Sequence, residues 1–336
     1  MTTVPSNHHA PLLSLRDLVT TIKGNHGGVR AVNHISLDLY PGKSLGIVGE
    51  SGSGKSILAK SILKLLPENA EVSAKSGIYF DGLDLNKMNS KALNSVRGLR
   101  IAMIFQDPMS SLNPVMTIGR QIAEPLIHHF GMKKNRARNR SVELLKSVGI
   151  SNPGQRIRQY PHQLSGGMRQ RVAIAIALAC DPRVLIADEP TTALDVTVQA
   201  AILDLLAQRQ AENRMSMILI THDFGVAAGR TDDIAVMYAG RIVEQAPAGQ
   251  LFSAMRMPYT RALVNSIPHL ENPPHTKLNS IEGHSPDLAD LPLGCSFAPR
   301  CPRVLKQCTR QVPPLSSDGG KDHLFACWNP VNGAEG

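Results

Sequence analysis

A glycine-rich loop and two adjacent acids carry the chemistry this sequence could do. Gly49, Glu50, Ser51, Gly52, Ser53, Gly54, Lys55 and Ser56 are consecutive and fit the phosphate-binding pattern G-x-x-x-x-G-K-[ST]. In such a loop the glycines let backbone N–H groups turn inward, and the helix that follows adds the positive end of its dipole, so phosphate oxygens meet fixed donors. Lys55 is then placed to bridge the β- and γ-phosphates of a nucleotide, and the Ser56 hydroxyl to ligate Mg²⁺. A second anchor for the metal is expected at Asp188, which ends the apolar run beginning at Val184. Glu189 follows directly, and the two acids divide naturally: Asp188 holds the metal shell while Glu189 polarises an attacking water as general base. Leu164-Ser165-Gly166-Gly167-Met168 opens an apolar helix that runs to Cys180, and its free N–H groups make a further anion site.

These residues need strands and helices to hold them. Apolar β-type runs alternate with helical patterns: Ser44–Gly49 then Lys55–Leu66, Val184–Asp188 then Val198–Gln208, then Met217–Thr221 and Ile234–Tyr238. That alternation predicts an α/β fold with a parallel sheet covered by helices. Ahead of it Ile35, Leu37 and Leu39 alternate with polar neighbours and stop at Pro41-Gly42, which predicts a half-exposed antiparallel strand. Residues from about 107 to 164 lack a strand pattern, while Val142, Leu144, Leu145 and Val148 keep helical spacing, so a helical insertion is expected there. Residues 253–336 hold 11 of the 23 prolines, which divides the chain into a cassette over 1–252 and a tail over 253–336.

Composition narrows the field. Of 336 residues, 36 are Lys or Arg and 27 are Asp or Glu, and the apolar share is that of a folded protein. The longest apolar run, Val172–Cys180, is nine residues, too short to cross a bilayer. Met1–Ala10 has no Lys or Arg and no apolar core, so no secretory signal is expected and the cytoplasm is the expected compartment. The net charge of +9 raises nucleic acid as a partner, but the densest basic stretch, Lys133 to Arg140, has no aromatic residue to stack on bases and reads as a solvated helix face.

Taken together, these residues resemble the ATPase subunits of ABC transporters. In that family's terms Walker A is Gly49–Ser56, the Q-loop glutamine is Gln106, the signature is Leu164–Met168, Walker B ends at Asp188-Glu189, the D-loop is Ala193-Leu194-Asp195 and the switch histidine is His222. The resemblance implies a P-loop ABC ATPase fold: a RecA-like parallel sheet core, an antiparallel β subdomain, a helical subdomain and a small Cys-containing C-terminal extension. It implies ATP and Mg²⁺ as ligands, with Gln106 touching Mg²⁺ and water and His222 holding the γ-phosphate. Two cassettes would meet head to tail, so that Ser165, Gly166, Gly167 and Asp195 of one complete the ATP site of the other. Two departures stand out: Leu12–Ser36 contains no aromatic residue to stack on adenine, leaving Ile22, His26 or Arg30, and Met168 stands where the superfamily most often has Gln.

Phe105–Pro114, Tyr160–Met168 and Met237–Glu244 look like the peptide and nickel branch of ABC importers, and Pro258–Leu263 with Gly294–Pro302 resembles its C-terminal extension. Such importers pair two different ATPases beneath two transmembrane permeases, on the cytoplasmic face of the bacterial inner membrane, and receive cargo from an extracytoplasmic solute-binding protein. Di- or oligopeptides lead as cargo, with nickel chelates, opines and glycosides behind. A soluble ABC ATPase acting on nucleic acid is the alternative, although the paired cassettes or coiled-coil insertion usual there are absent from the sequence. Four tail cysteines, Cys295, Cys301, Cys308 and Cys327, suggest a metal, whereas Cys180 reads as core. Their spacing lacks the Cys-x₂-Cys pairs usual for zinc and does not by itself separate zinc from iron. The resemblance implies a [4Fe–4S] cluster, with zinc or unliganded thiols as alternatives.

Overall fold

The computed structural model describes residues 10–24, 27–107, 111–192, 194–267, 281–319 and 322–331. Strands β1 (Leu13–Gly24) and β2 (Gly27–Leu39) form an antiparallel hairpin, followed by β3 (Ser44–Val48) and the helix Lys55–Ile62. Short strands β4 (Ala70–Val72), β5 (Gly77–Phe80) and β6 (Leu83–Asp84) complete an antiparallel sheet with the hairpin. Then come β7 (Ile101–Ile104), β8 (Val184–Asp188), β9 (Ser216–Thr221), β10 (Asp233–Tyr238), β11 (Arg241–Pro247) and β12 (Leu324–Phe325). The second sheet has the order β12-β11-β10-β3-β9-β8-β7; β10, β3, β9, β8 and β7 run parallel, β11 pairs antiparallel with β10, and β12 antiparallel with β11.

The predicted strands appear where expected, for a physical reason. A parallel strand covered on both faces must be apolar at every position, and β3 and β8 are buried throughout. Successive residues then face different cores. Val184, Ile186, Ile218 and Ile220 pack with the antiparallel sheet and with Leu58 and Ile62 of the first helix. Leu185, Ala187, Met217 and Leu219 face the helical insertion and the helix Gly166–Ala177. That insertion contains the helices Ile118–Phe130, Lys134–Ser147 and Pro153–Arg156, with Leu144, Leu145 and Val148 buried as their spacing predicts. In β2, Ile35, Leu37 and Leu39 are buried while His34 and Ser36 are exposed. The basic stretch lies mostly exposed along the start of the helix Lys134–Ser147, and Cys180 is core, its thiol pushed up to about 11 chiefly by burial.

The tail is no separate appendage. Tyr238 of β10 packs against Tyr259 and Phe297, with ring centroids 4.4 and 5.4 Å away, and β12 pairs with β11. The buried His323 Nε2 lies 2.7 Å from the fully buried Glu244, whose carboxylate also accepts the backbone N–H groups of Arg256 and Met257.

The tail cysteines correct the sequence reading. Cys327 lies near enough to Cys295, Cys301 and Cys308 for each to push its pKa up, yet among the described residues no group of three or more His, Cys, Asp or Glu is placed to hold a metal ion. Cys295, Cys301 and Cys327 instead pack against the aromatic cluster, and burial raises their pKa values. Backbone N–H groups of Arg303, Leu305 and Asn329 meet the sulfurs of Cys301, Cys308 and Cys327 at 3.4 Å. Neither the expected iron–sulfur cluster nor the zinc alternative is supported, and the cysteines act here as small apolar side chains.

Candidate functional site

Adjacent parallel strands deliver the site from their carboxyl ends, where open α/β sheets bind ligands. β3 leads into Gly49, β8 ends at Asp188-Glu189, β9 precedes His222, and β7 is followed by Phe105 and Gln106. The loop after β3 is wound tightly. Gly54 has φ 101°, and a Cβ there would sit 2.1 Å from the Ala31 carbonyl oxygen, so glycine is required both for the turn and for the close approach.

Lys55 is buried, and its ammonium donates to the carbonyls of Gly49 (2.8 Å) and Glu50 (2.9 Å). Burial lowers its pKa, and the nearby charges of Glu189, Asp188 and Glu50 pull it back up. Ser56 Oγ donates to Asp188 Oδ1 at 3.0 Å, which puts the two expected metal ligands side by side. Burial raises the Asp188 pKa, opposed first by the Ser56 hydrogen bond. The Ser53 hydroxyl is buried without a hydrogen-bond partner among the described residues, the kind of orphan that a phosphate oxygen would satisfy. The residues therefore fit MgATP.

Glu189 has left-handed backbone, φ 47°, which turns it out of the line of β8. Its Oε2 faces Gln106 Nε2 at 3.1 Å, Thr192 Oγ1 at 2.9 Å and His222 Nδ1 at 3.3 Å. The expected base, glutamine and histidine thus meet at one oxygen. Thr192 is a further member that the sequence reading missed, since a threonine three residues after an acid in a turn carries no pattern of its own.

Other expected residues lie apart from this group. Ser165 and Gly166 are exposed, and Ser165 Oγ caps its own helix by accepting Met168 N–H at 3.4 Å. Asp195 caps the helix Val196–Asn213 by accepting Val198 N–H at 2.9 Å. The signature and the D-loop helix are neighbours, because a Cβ on Gly167 would lie 2.9 Å from Val198 Cγ1. Ala193 of the D-loop, Pro108, Met109 and Ser110 of the Q-loop run, and His26 lie outside the described residues, while Ile22 and Arg30 sit on the β1–β2 hairpin.

Comparison with known proteins bears on this arrangement. The family profile described as ABC transporter matches residues 32–192, and that of the oligopeptide/dipeptide transporter C-terminal region matches 243–308. The dipeptide transport ATP-binding protein DppD of Bacillus subtilis is 46% identical over 319 residues, 94% of either chain. The oligopeptide transport ATP-binding protein OppD of the same organism is 48% identical over 304 residues, 90% of this chain and 85% of that one. This chain belongs to the ABC transporter ATPase family.

Solved ABC cassettes share its fold. The dimeric cassette MJ0796, in a post-hydrolysis state bound to ADP and Pi, superimposes with TM-score 0.64 at 29% identity, covering 70% of this chain and 98% of that one. CbiO1 from Clostridium perfringens gives TM-score 0.61 at 27% identity, covering 73% and 91%. ABC ATPases hydrolyse ATP, and in this chain Gln106, Thr192 and His222 gather around Glu189. Exchanging Thr192 for Val keeps the side chain's shape but removes one of the three donors on Glu189. We expect about a tenfold fall in kcat for ATP with binding affinity unchanged, the effect of one hydrogen bond to a charged group at the low end of its range. Steady-state hydrolysis alongside calorimetric ATP binding checks this.

Proposed function

We propose that this chain energises import of di- or oligopeptides, as one of two ATPases meeting head to tail beneath two transmembrane permeases that receive peptide from a solute-binding protein. The observation that carries the catalytic half is the convergence of Gln106, Thr192 and His222 on Glu189 Oε2, beside the Lys55, Ser56 and Asp188 set. Three donors on Oε2 hold the carboxylate still, and Oε1 takes the proton of the attacking water. His222 and Gln106 orient that water and the γ-phosphate from either side, while Lys55 and the loop from Gly49 to Ser56, including Glu50, Ser51, Gly52, Ser53 and Gly54, bind the phosphates. Ser56 and Asp188, with Gln106, would hold Mg²⁺, whose charge offsets that of the β- and γ-phosphates.

Ser165, Gly166, Gly167 and Asp195 complete the partner cassette's ATP site; the exposure of Ser165 and Gly166 supports that role. Among the described residues no helix is long and apolar enough to cross a membrane, which fits a peripheral subunit on the cytoplasmic face held by its permeases. The cassette occupies 1–252 and the importer extension 253–336. The peptide cargo is supported by the names of the relatives matched along nine-tenths of the chain, and these favour an importer over a nucleic-acid ATPase.

Co-expression with its genomic neighbours and reconstitution in vesicles tests the whole reading. Peptide-loaded binding protein should raise ATP hydrolysis and drive peptide inward. Hydrolysis stimulated by DNA or RNA, and indifferent to permeases and peptide, would replace the importer with the nucleic-acid alternative.

A further inference from the structure

Glu50, the second residue of the phosphate loop, is held at every polar group it has. Its N–H donates to the Tyr259 hydroxyl at 3.0 Å, and its carbonyl accepts from Lys55. Its carboxylate is gripped by Arg300 through two bonds, Nη1 to Oε2 at 2.7 Å and Nη2 to Oε1 at 2.9 Å, and Ser285 Oγ donates to Oε2 at 3.1 Å. Tyr259, Ser285 and Arg300 all belong to the tail, which sequence reading had placed outside the nucleotide motifs.

Arg300 is built in as firmly. Besides Glu50 it donates to the Glu282 carbonyl (2.9 Å), the Tyr238 hydroxyl (3.3 Å) and the Ile281 carbonyl (3.4 Å), so every N–H of the guanidinium has a partner. Its side chain is 6% exposed and that of Glu50 22%. A carboxylate on a loop meant for polyphosphate is an electrostatic liability, because like charges in a partly dry site repel strongly. A planar cation bound through two parallel bonds cancels that charge and fixes its position.

We propose that Arg300 is a positioning residue for nucleotide binding: it neutralises and pins Glu50, so that the tail becomes a working part of the ATP site. This rests on the reading that Gly49–Ser56 binds ATP. If tail contacts favour ATP, then ATP must favour the tail contacts by the same factor.

Calorimetry of MgATP on the full chain, with hydrolysis kinetics, tests it. Arg300→Gln should weaken binding about tenfold and raise KM accordingly, with kcat within about twofold. Arg300→Lys, one point charge without the fork, should fall between Arg300→Gln and the unaltered protein. The double variant Glu50→Gln with Arg300→Gln should recover to within about threefold of the unaltered protein, since the stranded charge is gone; a purely structural role for Arg300 would show no such rescue. Arg300→Gln binding ATP normally, or a double variant no better than Arg300→Gln, would overturn the proposal. Lys55→Ala serves as the control: normal ATP binding there would sink the loop reading itself, whereas a defect there with normal Arg300→Gln sinks only the role of Arg300. Should Arg300→Gln not fold, hydrogen exchange on the unaltered protein decides. MgATP should slow exchange at residues 294–301 severalfold, and unchanged exchange there would end the proposal.

Discussion

Glu189→Gln should stop ATP turnover while leaving ATP bound. The amide keeps the side chain's shape and still offers an oxygen to Thr192 and His222, which hold the carboxylate at 2.9 and 3.3 Å. What it loses is the ability to take a proton from water, and a positioned general base is worth about 10²–10⁴ in rate. The phosphate loop and Asp188 are untouched, so MgATP affinity should match that of the unaltered protein. If the closed, ATP-bound dimer reopens only on hydrolysis, this variant should also accumulate as a dimer. Phosphate release measured on the assembled transporter, beside ATP binding on the purified chain, gives both numbers. Turnover near normal would remove Glu189 from its role.

Lys55→Ala should fail one step earlier, at binding. Lys55 is a buried cation whose only hydrogen bonds among the described residues run to the loop's own carbonyls, Gly49 and Glu50. The alanine removes the ammonium from both, leaving the Glu50 carbonyl only the Ser53 N–H at 3.2 Å, and takes away the charge that offsets the phosphates, in the bound state as well as in the transition state. Charge-assisted bonds to phosphate in a dry cradle support a loss of at least about a hundredfold in ATP affinity. Calorimetric titration measures it directly. An unchanged dissociation constant would contradict the phosphate-cradle reading.

Much of this was legible from residue order because the deciding forces are local. A strand buried on both faces has to be an apolar run, and an acid at its end has to face the strand's carboxyl edge; Val184–Asp188 announces both facts. β1 is harder to read, since register shifts between Leu15 and Thr21 and a left-handed Asp17 break the alternation that would mark it. β7 is four residues, too short to show a period. Thr192 gains its role only from the turn that brings it back to Glu189. The Arg300–Glu50 pair joins positions 250 residues apart, and no spacing rule reaches that far. The cysteines misled for the complementary reason: sequence reports that thiols exist, but the fold decides whether they are placed together to hold a metal.

The two-residue strand β12 has a consequence beyond its size. It lies along the outer side of β11, pairing at Glu244 and Gln245, and the Ala326 N–H adds a bond to the Val243 carbonyl at 2.8 Å. Without it the middle of β11 would be an open rim of unsatisfied backbone groups, the template on which like chains stack edge to edge. A chain shortened ahead of residue 324 would thus keep its complete phosphate loop and yet be prone to self-association, so β12 protects solubility as well as shape.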